Sequence, residues 1–201
     1  MIYEDVKIFS HPRSGTNYLG ALVQLNFFEE SNFSQRFDSN AHRMSKNAER
    51  FIINNPNTGI IYIYRSFNDV INSVFNARKI LGLNVESVGQ LLNSKYSEVW
   101  SKSPVEDYTM KSFKDLNAPT KYKKKVSGHF SKVNMYPEEY WKEHINSWLK
   151  LSLKYNNILM LGYEDLKNQF YTTMKSISTF LGVDKENFED VKEKVGIIPK
   201  N

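Results

Sequence analysis

The apolar positions of this chain fall into short blocks separated by polar stretches. Val6 to Ser10 (V-K-I-F-S) is a brief buried-strand pattern that runs at once into H-P-R-S-G-T-N-Y. Beyond that loop, Leu19, Leu22, Val23 and Phe27 recur at helical spacing. A second strand is predicted at Ile60 to Tyr64 (I-I-Y-I-Y), after the turn-like N-N-P-N-T-G. It leads into a helix with Val70, Val74 and Ala77 on one face and Ile71 and Phe75 beside it; Ser66 and Asp69 fit its start as a capping-box variant.

Glu86 to Trp100 reads as a further helix, and Ser101 to about Tyr136 as a long, polar, Lys-rich loop or lid containing K-Y-K-K-K. Pro137 opens a helix whose expected face is Trp141, Ile145, Trp148, Leu149 and Ser152. Ile158 to Leu161 (I-L-M-L) is the third strand. G-Y-E-D-L and a helix carrying Leu166, Phe170, Met174, Ile177 and Leu181 follow it, with Gly182 as its stop. A short helix from Glu186 to about Val195 is expected last. Strands alternating with helices predict an α/β fold, with a central parallel sheet flanked by helices in three layers. The three strands should be inner neighbours, and ligands should bind beyond their carboxyl ends.

The length of 201 residues fits one domain. The chain has no cysteine, which excludes disulfides, zinc ribbons and thiol nucleophiles. Its four histidines, His11, His42, His129 and His144, show no ligand-like spacing, so no metal site is expected. No apolar run is long enough to span a membrane, and M-I-Y-E-D lacks the features of a signal peptide; a soluble cytoplasmic protein is expected. The net charge of +5 is compatible with an anionic ligand or a nucleic acid, and does not choose between them.

Two strand-to-helix turns carry chemistry. In Ser10 to Tyr18, a Gly in a tight turn can present backbone N–H groups to an anion at the positive end of a helix. Arg13 adds a forked cation, and Ser14, Thr16 and Asn17 add short polar side chains. The G-x-x-x-x-G-K-[ST] pattern of nucleotide triphosphatases is absent. The second turn places Arg65 at a strand end and Ser73 eight residues on.

These segments resemble the sulfotransferases that use 3′-phosphoadenosine 5′-phosphosulfate (PAPS). S-H-P-R-S-G-T-N-Y is similar to their 5′-phosphosulfate loop, commonly P-K-S-G-T. I-Y-I-Y-R-S-F-N-D-V-I-N-S resembles their 3′-phosphate motif, an Arg and a Ser eight residues apart. Y-W-K-E-H-I-N-S-W resembles the Trp-rich helix, and I-L-M-L-G-Y-E-D-L the strand and Y-E-D after it. The four motifs occur in family order between Val6 and Gly182.

The resemblance implies a P-loop-like sulfotransferase fold and transfer of a sulfuryl group from PAPS to an acceptor hydroxyl or amine, releasing the bisphosphate PAP without a metal. It implies that Arg13, Ser14, Gly15, Thr16 and Asn17 hold the phosphosulfate, with Arg13 also neutralising the leaving group. Arg65 and Ser73 would hold the 3′-phosphate, and Tyr18 and Tyr163 would meet the adenine. His42, 23 residues ahead of Arg65, would be the general base, with His11 as its rival. A small-molecule, glycan or lipid acceptor would bind the loops at Phe28 to Phe37 and Ser101 to Tyr136. Two departures stand out: Arg13 replaces the usual Lys, and the family's C-terminal R-K-G clamp is missing from a chain that ends V-G-I-I-P-K-N. The rival functions are a P-loop-like nucleotide kinase and a basic nucleic-acid binder built on K-Y-K-K-K.

Overall fold

A computed structural model describes residues 2–28, 45–101, 108–111, 121–123, 128–191 and 196–199. The elements, in order, are β1 (Asp5–Ser10), α1 (Thr16–Phe27), α2 (Ser45–Asn54), β2 (Thr58–Tyr64), α3 (Phe67–Asn76), α4 (Val88–Leu92), α5 (Tyr96–Val99), β3 (Tyr108–Lys111) and β4 (Lys121–Lys123). A 3₁₀ turn (His129–Lys132), α6 (Pro137–Lys154), β5 (Ile158–Gly162), α7 (Tyr163–Asn168), α8 (Phe170–Leu181) and β6 (Gly196–Pro199) complete them. Their contacts divide into two compact units: 1–65 with 144–193, and 66–143 with 194–201.

The first unit is built on a parallel sheet of order β1-β2-β5. β1 pairs with β2 from Asp5↔Thr58 to Ser10↔Ile63, and β2 with β5 from Ile60↔Ile158 to Tyr64↔Gly162. The three predicted strands are therefore neighbours and parallel, but among the described residues only β2 is flanked on both sides, so β1 and β5 are not the inner strands expected. One sheet face, with Phe9, Ile60, Tyr62 and Ile158, packs with Ala48 and Ile52 of α2 and Trp148 and Leu151 of α6. The alternate positions Ile8, Ile61 and Ile63 point the other way and are buried too, so both sheet faces are covered. That is the expected α/β layering, and it explains why these strands read as continuous apolar runs.

Several expectations need correction. α2 was not predicted, although Ala48 and Ile52, four apart, are its buried stripe. The predicted helix at Glu86 to Trp100 is two short ones. Ser87 Oγ caps α4 at the Gln90 N–H (3.1 Å), Asn93 folds its side chain back onto the Gly89 carbonyl (2.9 Å), and Lys95 is extended before α5. Beyond its first residue, Pro137, α6 buries Tyr140, His144, Trp148 and Leu151; Trp141 and Ile145 are half-buried and Leu149 is exposed. The helix after β5 breaks at Gln169, whose backbone is non-helical.

Residues 183–191 are not helical. They run past α1, where the Asn26 side chain donates to the Glu189 carbonyl and accepts its N–H, both at 2.8 Å, and Phe188 packs on Phe27. Positions 192–195 of that predicted helix lie outside the described residues.

In the second unit, the stretch 101–136 contains more than loop. β3 pairs antiparallel with both β4 and β6. Phe130 in the 3₁₀ turn is fully buried, stacked 4.0 Å from Tyr96. The pairing of β3 with β6 joins segments more than 80 residues apart, so the periodicity within 101–136 cannot reveal it. Of the capping-box variant expected at α3, the N-cap bond is present, with Ser66 Oγ accepting the Asp69 N–H at 3.4 Å.

Candidate active site

In the first unit β1, β2 and β5 run parallel and in register, so Ser10, Tyr64 and Gly162 end side by side. Loop 11–15, Arg65 and Tyr163 therefore emerge together beyond the carboxyl ends of the strands, where a parallel sheet binds its ligands.

The loop is shaped to receive an anion. Gly15 is the N-cap of α1 at φ 100°, and no side chain caps the helix. The first intrahelical bond runs from the Leu19 N–H to the Gly15 carbonyl (3.0 Å), so the amides of Gly15, Thr16, Asn17 and Tyr18 have no intrahelical acceptor. The Ser14 hydroxyl is fully buried and has no hydrogen-bond partner among the described residues. It does not cap the helix, as it would in an ordinary strand-to-helix turn. Ser10 and Thr16 join their hydroxyls across the loop's two ends, tying β1 to α1.

Gly15 is required twice over. Its φ lies where an L-residue is strained, and a Cβ there would collide with Tyr163 Cδ2 and come within 2.9 Å of Tyr163 Cε2. The Tyr163 ring closes over the loop. The Arg65 guanidinium lies 4.5 Å from that ring's centroid. Arg13 is half-buried, and burial followed by the Arg65 charge pulls its guanidinium below its usual pKa. Two guanidinium groups repelling one another beside an open helix N-terminus favour an anion between or near them.

Tyr18 is held on several sides. Its hydroxyl donates to Asp190 Oδ1 (2.6 Å), Lys167 Nζ lies 5.0 Å over its ring, and its edge meets Tyr163 with centroids 6.2 Å apart. Burial, then the Asp190 bond, raises its pKa well above the usual value. Sequence reasoning missed Asp190 and Lys167. Lys167 stands one helical turn beyond Tyr163, a spacing that could have flagged it, whereas nothing local flags Asp190.

The structure thus brings together Arg13, Ser14, Gly15, Thr16, Asn17, Tyr18, Arg65 and Tyr163. Ser73 is half-buried on α3 and belongs to the second unit. His42 lies outside the described residues, as do positions 29–37 of the expected acceptor loop. His11 is buried, so it is not an open base. Among the described residues no cluster of His, Asp or Glu suits a metal ion, and no helix is long and apolar enough to cross a membrane.

Residues 3–196 match the family model described as the sulfotransferase domain. The chain belongs to the sulfotransferase domain family. Solved sulfotransferases share its fold. Mouse sulfotransferase SULT7A1, complexed with PAP, superposes with a TM-score of 0.57 at 18% identity, over 91% of this chain and 60% of that one. A sulfotransferase from Alicyclobacillus acidocaldarius gives 0.52 at 11% identity, over 95% of this chain and 85% of that one. This sulfotransferase-family chain thus spans about three fifths of the length of the mouse protein. No curated protein matches it by sequence.

Proposed function

We propose that the chain transfers a sulfuryl group from PAPS to a hydroxyl or amine of a small-molecule, glycan or lipid acceptor. The observation that carries this reading is the buried, unpartnered Ser14 hydroxyl beside the uncapped amide end of α1. A hydroxyl kept dry and without a partner costs free energy unless a ligand oxygen satisfies it. The loop's amides and Arg13 supply the other donors that a phosphosulfate needs, so the residues fit the donor.

In this reading Arg13, Ser14, Gly15, Thr16 and Asn17 hold the 5′-phosphosulfate, and Arg65 with Ser73 holds the 3′-phosphate. Tyr18 and Tyr163 meet the adenine, Tyr18 offering a ring whose hydroxyl is already fixed by Asp190. PAPS supplies the sulfuryl group: the acceptor oxygen or nitrogen bonds to sulfur as the sulfur–phosphate oxygen bond breaks. Arg13 and the loop amides neutralise charge on the departing phosphate, and His42 takes the acceptor's proton. The cationic site supplies that neutralisation itself, so the reading needs no metal. Residues 101–136 serve as the acceptor lid of a single catalytic domain, and a cytoplasmic location goes with this assignment.

The test is calorimetric titration with PAP and with ATP, followed by a screen of phenols, alcohols, glycans and lipids for PAPS-dependent sulfation. Tight PAP binding and one sulfated acceptor class are expected. Preference for ATP would favour a kinase, and steeply salt-dependent oligonucleotide binding without PAP binding would favour a nucleic-acid protein.

A further inference from the structure

His11 is fully buried directly ahead of Pro12, and its Nδ1 lies 2.8 Å from the Pro12 carbonyl oxygen. A carbonyl only accepts, so the imidazole donates from Nδ1. The ring is backed edge-on by the equally buried His144, centroids 5.5 Å apart. His144 Nδ1 is in turn 2.7 Å from the Tyr62 hydroxyl.

The Ser14 N–H donates to the His11 carbonyl (3.2 Å), closing a four-residue turn. Pro12 in its second position is locked at negative φ, and Arg13 in its third stands at φ 69°. Negative then positive φ defines a type II turn, whose third position normally wants Gly or Asn. Flipping the Pro12–Arg13 peptide would give a type I turn and return Arg13 to the negative φ that an L-residue prefers.

In a trans peptide the carbonyl and the N–H point in opposite directions. Drawing the Pro12 oxygen toward the buried imidazole therefore turns the Arg13 N–H away from it. We propose that His11 is a positioning residue that selects the type II turn, and so orients the Arg13 amide and guanidinium for the anion. This rests on the function proposed above.

Three variants separate this from a merely structural role. His11→Asn keeps an N–H near the Nδ1 position, His11→Gln moves it to the Nε2 position, and His11→Phe removes it. Without the Nδ1 donor the strained turn is a minor state, and PAP affinity should fall roughly 5- to 30-fold in the Gln and Phe variants. The Asn variant should bind near wild-type level. Unfolding midpoints should not track affinity, because the flip relieves strain at Arg13. A crystal structure of His11→Phe should show Arg13 at negative φ.

Wild-type PAP affinity in the Phe and Gln variants overturns the proposal, as does an affinity loss in all three that parallels stability. Retention of positive φ at Arg13 in the His11→Phe structure overturns it independently of any nucleotide. If the wild-type protein binds no PAP, the function reading fails, while that structure still decides the turn.

Discussion

Replacing Gly15 by Ala tests the site at its tightest point. Two costs add. An L-residue in the left-handed region is strained by roughly 1–2 kcal/mol. The new methyl would also meet the Tyr163 ring, with Cε2 at 2.9 Å and Cδ2 closer still. Overpacking of that kind costs about 1–3 kcal/mol. The sum, about 2–5 kcal/mol, is a large part of the 5–15 kcal/mol typical of a folded domain. Urea denaturation followed by tryptophan fluorescence measures it. The two parts separate in a double-mutant cycle, because Gly15→Ala in a Tyr163→Ala background loses the collision and keeps the backbone strain. The cost of Gly15→Ala should therefore fall by about 1–3 kcal/mol in that background, a coupling only neighbouring residues show. A Gly15→Ala protein within about 0.5 kcal/mol of wild type, or identical costs in both backgrounds, would refute the close fit of Tyr163 over the loop.

Arg65→Ala should weaken PAP binding far more than binding of adenosine 5′-phosphosulfate, which has no 3′-phosphate; equal losses in calorimetry would make Arg65 structural. His42→Ala should lower turnover by about 10²–10⁴-fold and leave PAP affinity unchanged, so near-normal turnover removes His42 as the base. Tyr62→Phe deletes the buried bond to His144 and should cost about 1–3 kcal/mol in chemical denaturation, with no change counting against that bond. The Tyr18 phenol is raised above its ordinary pKa of 10.0 by burial and by Asp190. The contribution of its bond to Asp190 is then fully present below pH 10 and lost only as pH climbs through the raised folded value. Tyr18→Phe should accordingly lower stability by a constant amount from pH 6 to 9 and converge with wild type in more alkaline solution; a difference that grows with pH would contradict the assignment.

Local pattern was enough for the strands at Val6, Ile60 and Ile158, because buried parallel strands are short apolar runs leading into amphipathic helices. It was enough too for the placement of Arg13, Ser14 and Gly15 in one strand-to-helix turn and of Arg65 at a strand end, since each is a contiguous feature. The expected face of α6 was right at Trp148 and only half-buried at Trp141, Ile145 and Ser152; Leu149 is exposed, and Tyr140 and His144 take the fully buried positions because partners distant in sequence receive them. The split of α4 from α5 was hidden because Asn93 ends a helix by bending its side chain onto the Gly89 carbonyl, which periodicity does not register.

The strands β1, β2 and β5, the helices α1, α3 and α6 and the Gly-bearing loop were determined by the sequence alone, since each depends on residues within a few positions of one another. Only the tertiary structure decided that β2 lies between β1 and β5, which sets the strand ends Ser10, Tyr64 and Gly162 side by side. It alone placed Tyr163 against Gly15, Arg65 over Tyr163, and Asp190 on the hydroxyl of Tyr18 across 172 positions. It alone put Arg13 into a left-handed conformation that no arginine selects by itself. Such contacts depend on where the packed sheet brings distant segments, and local propensity carries no term for that.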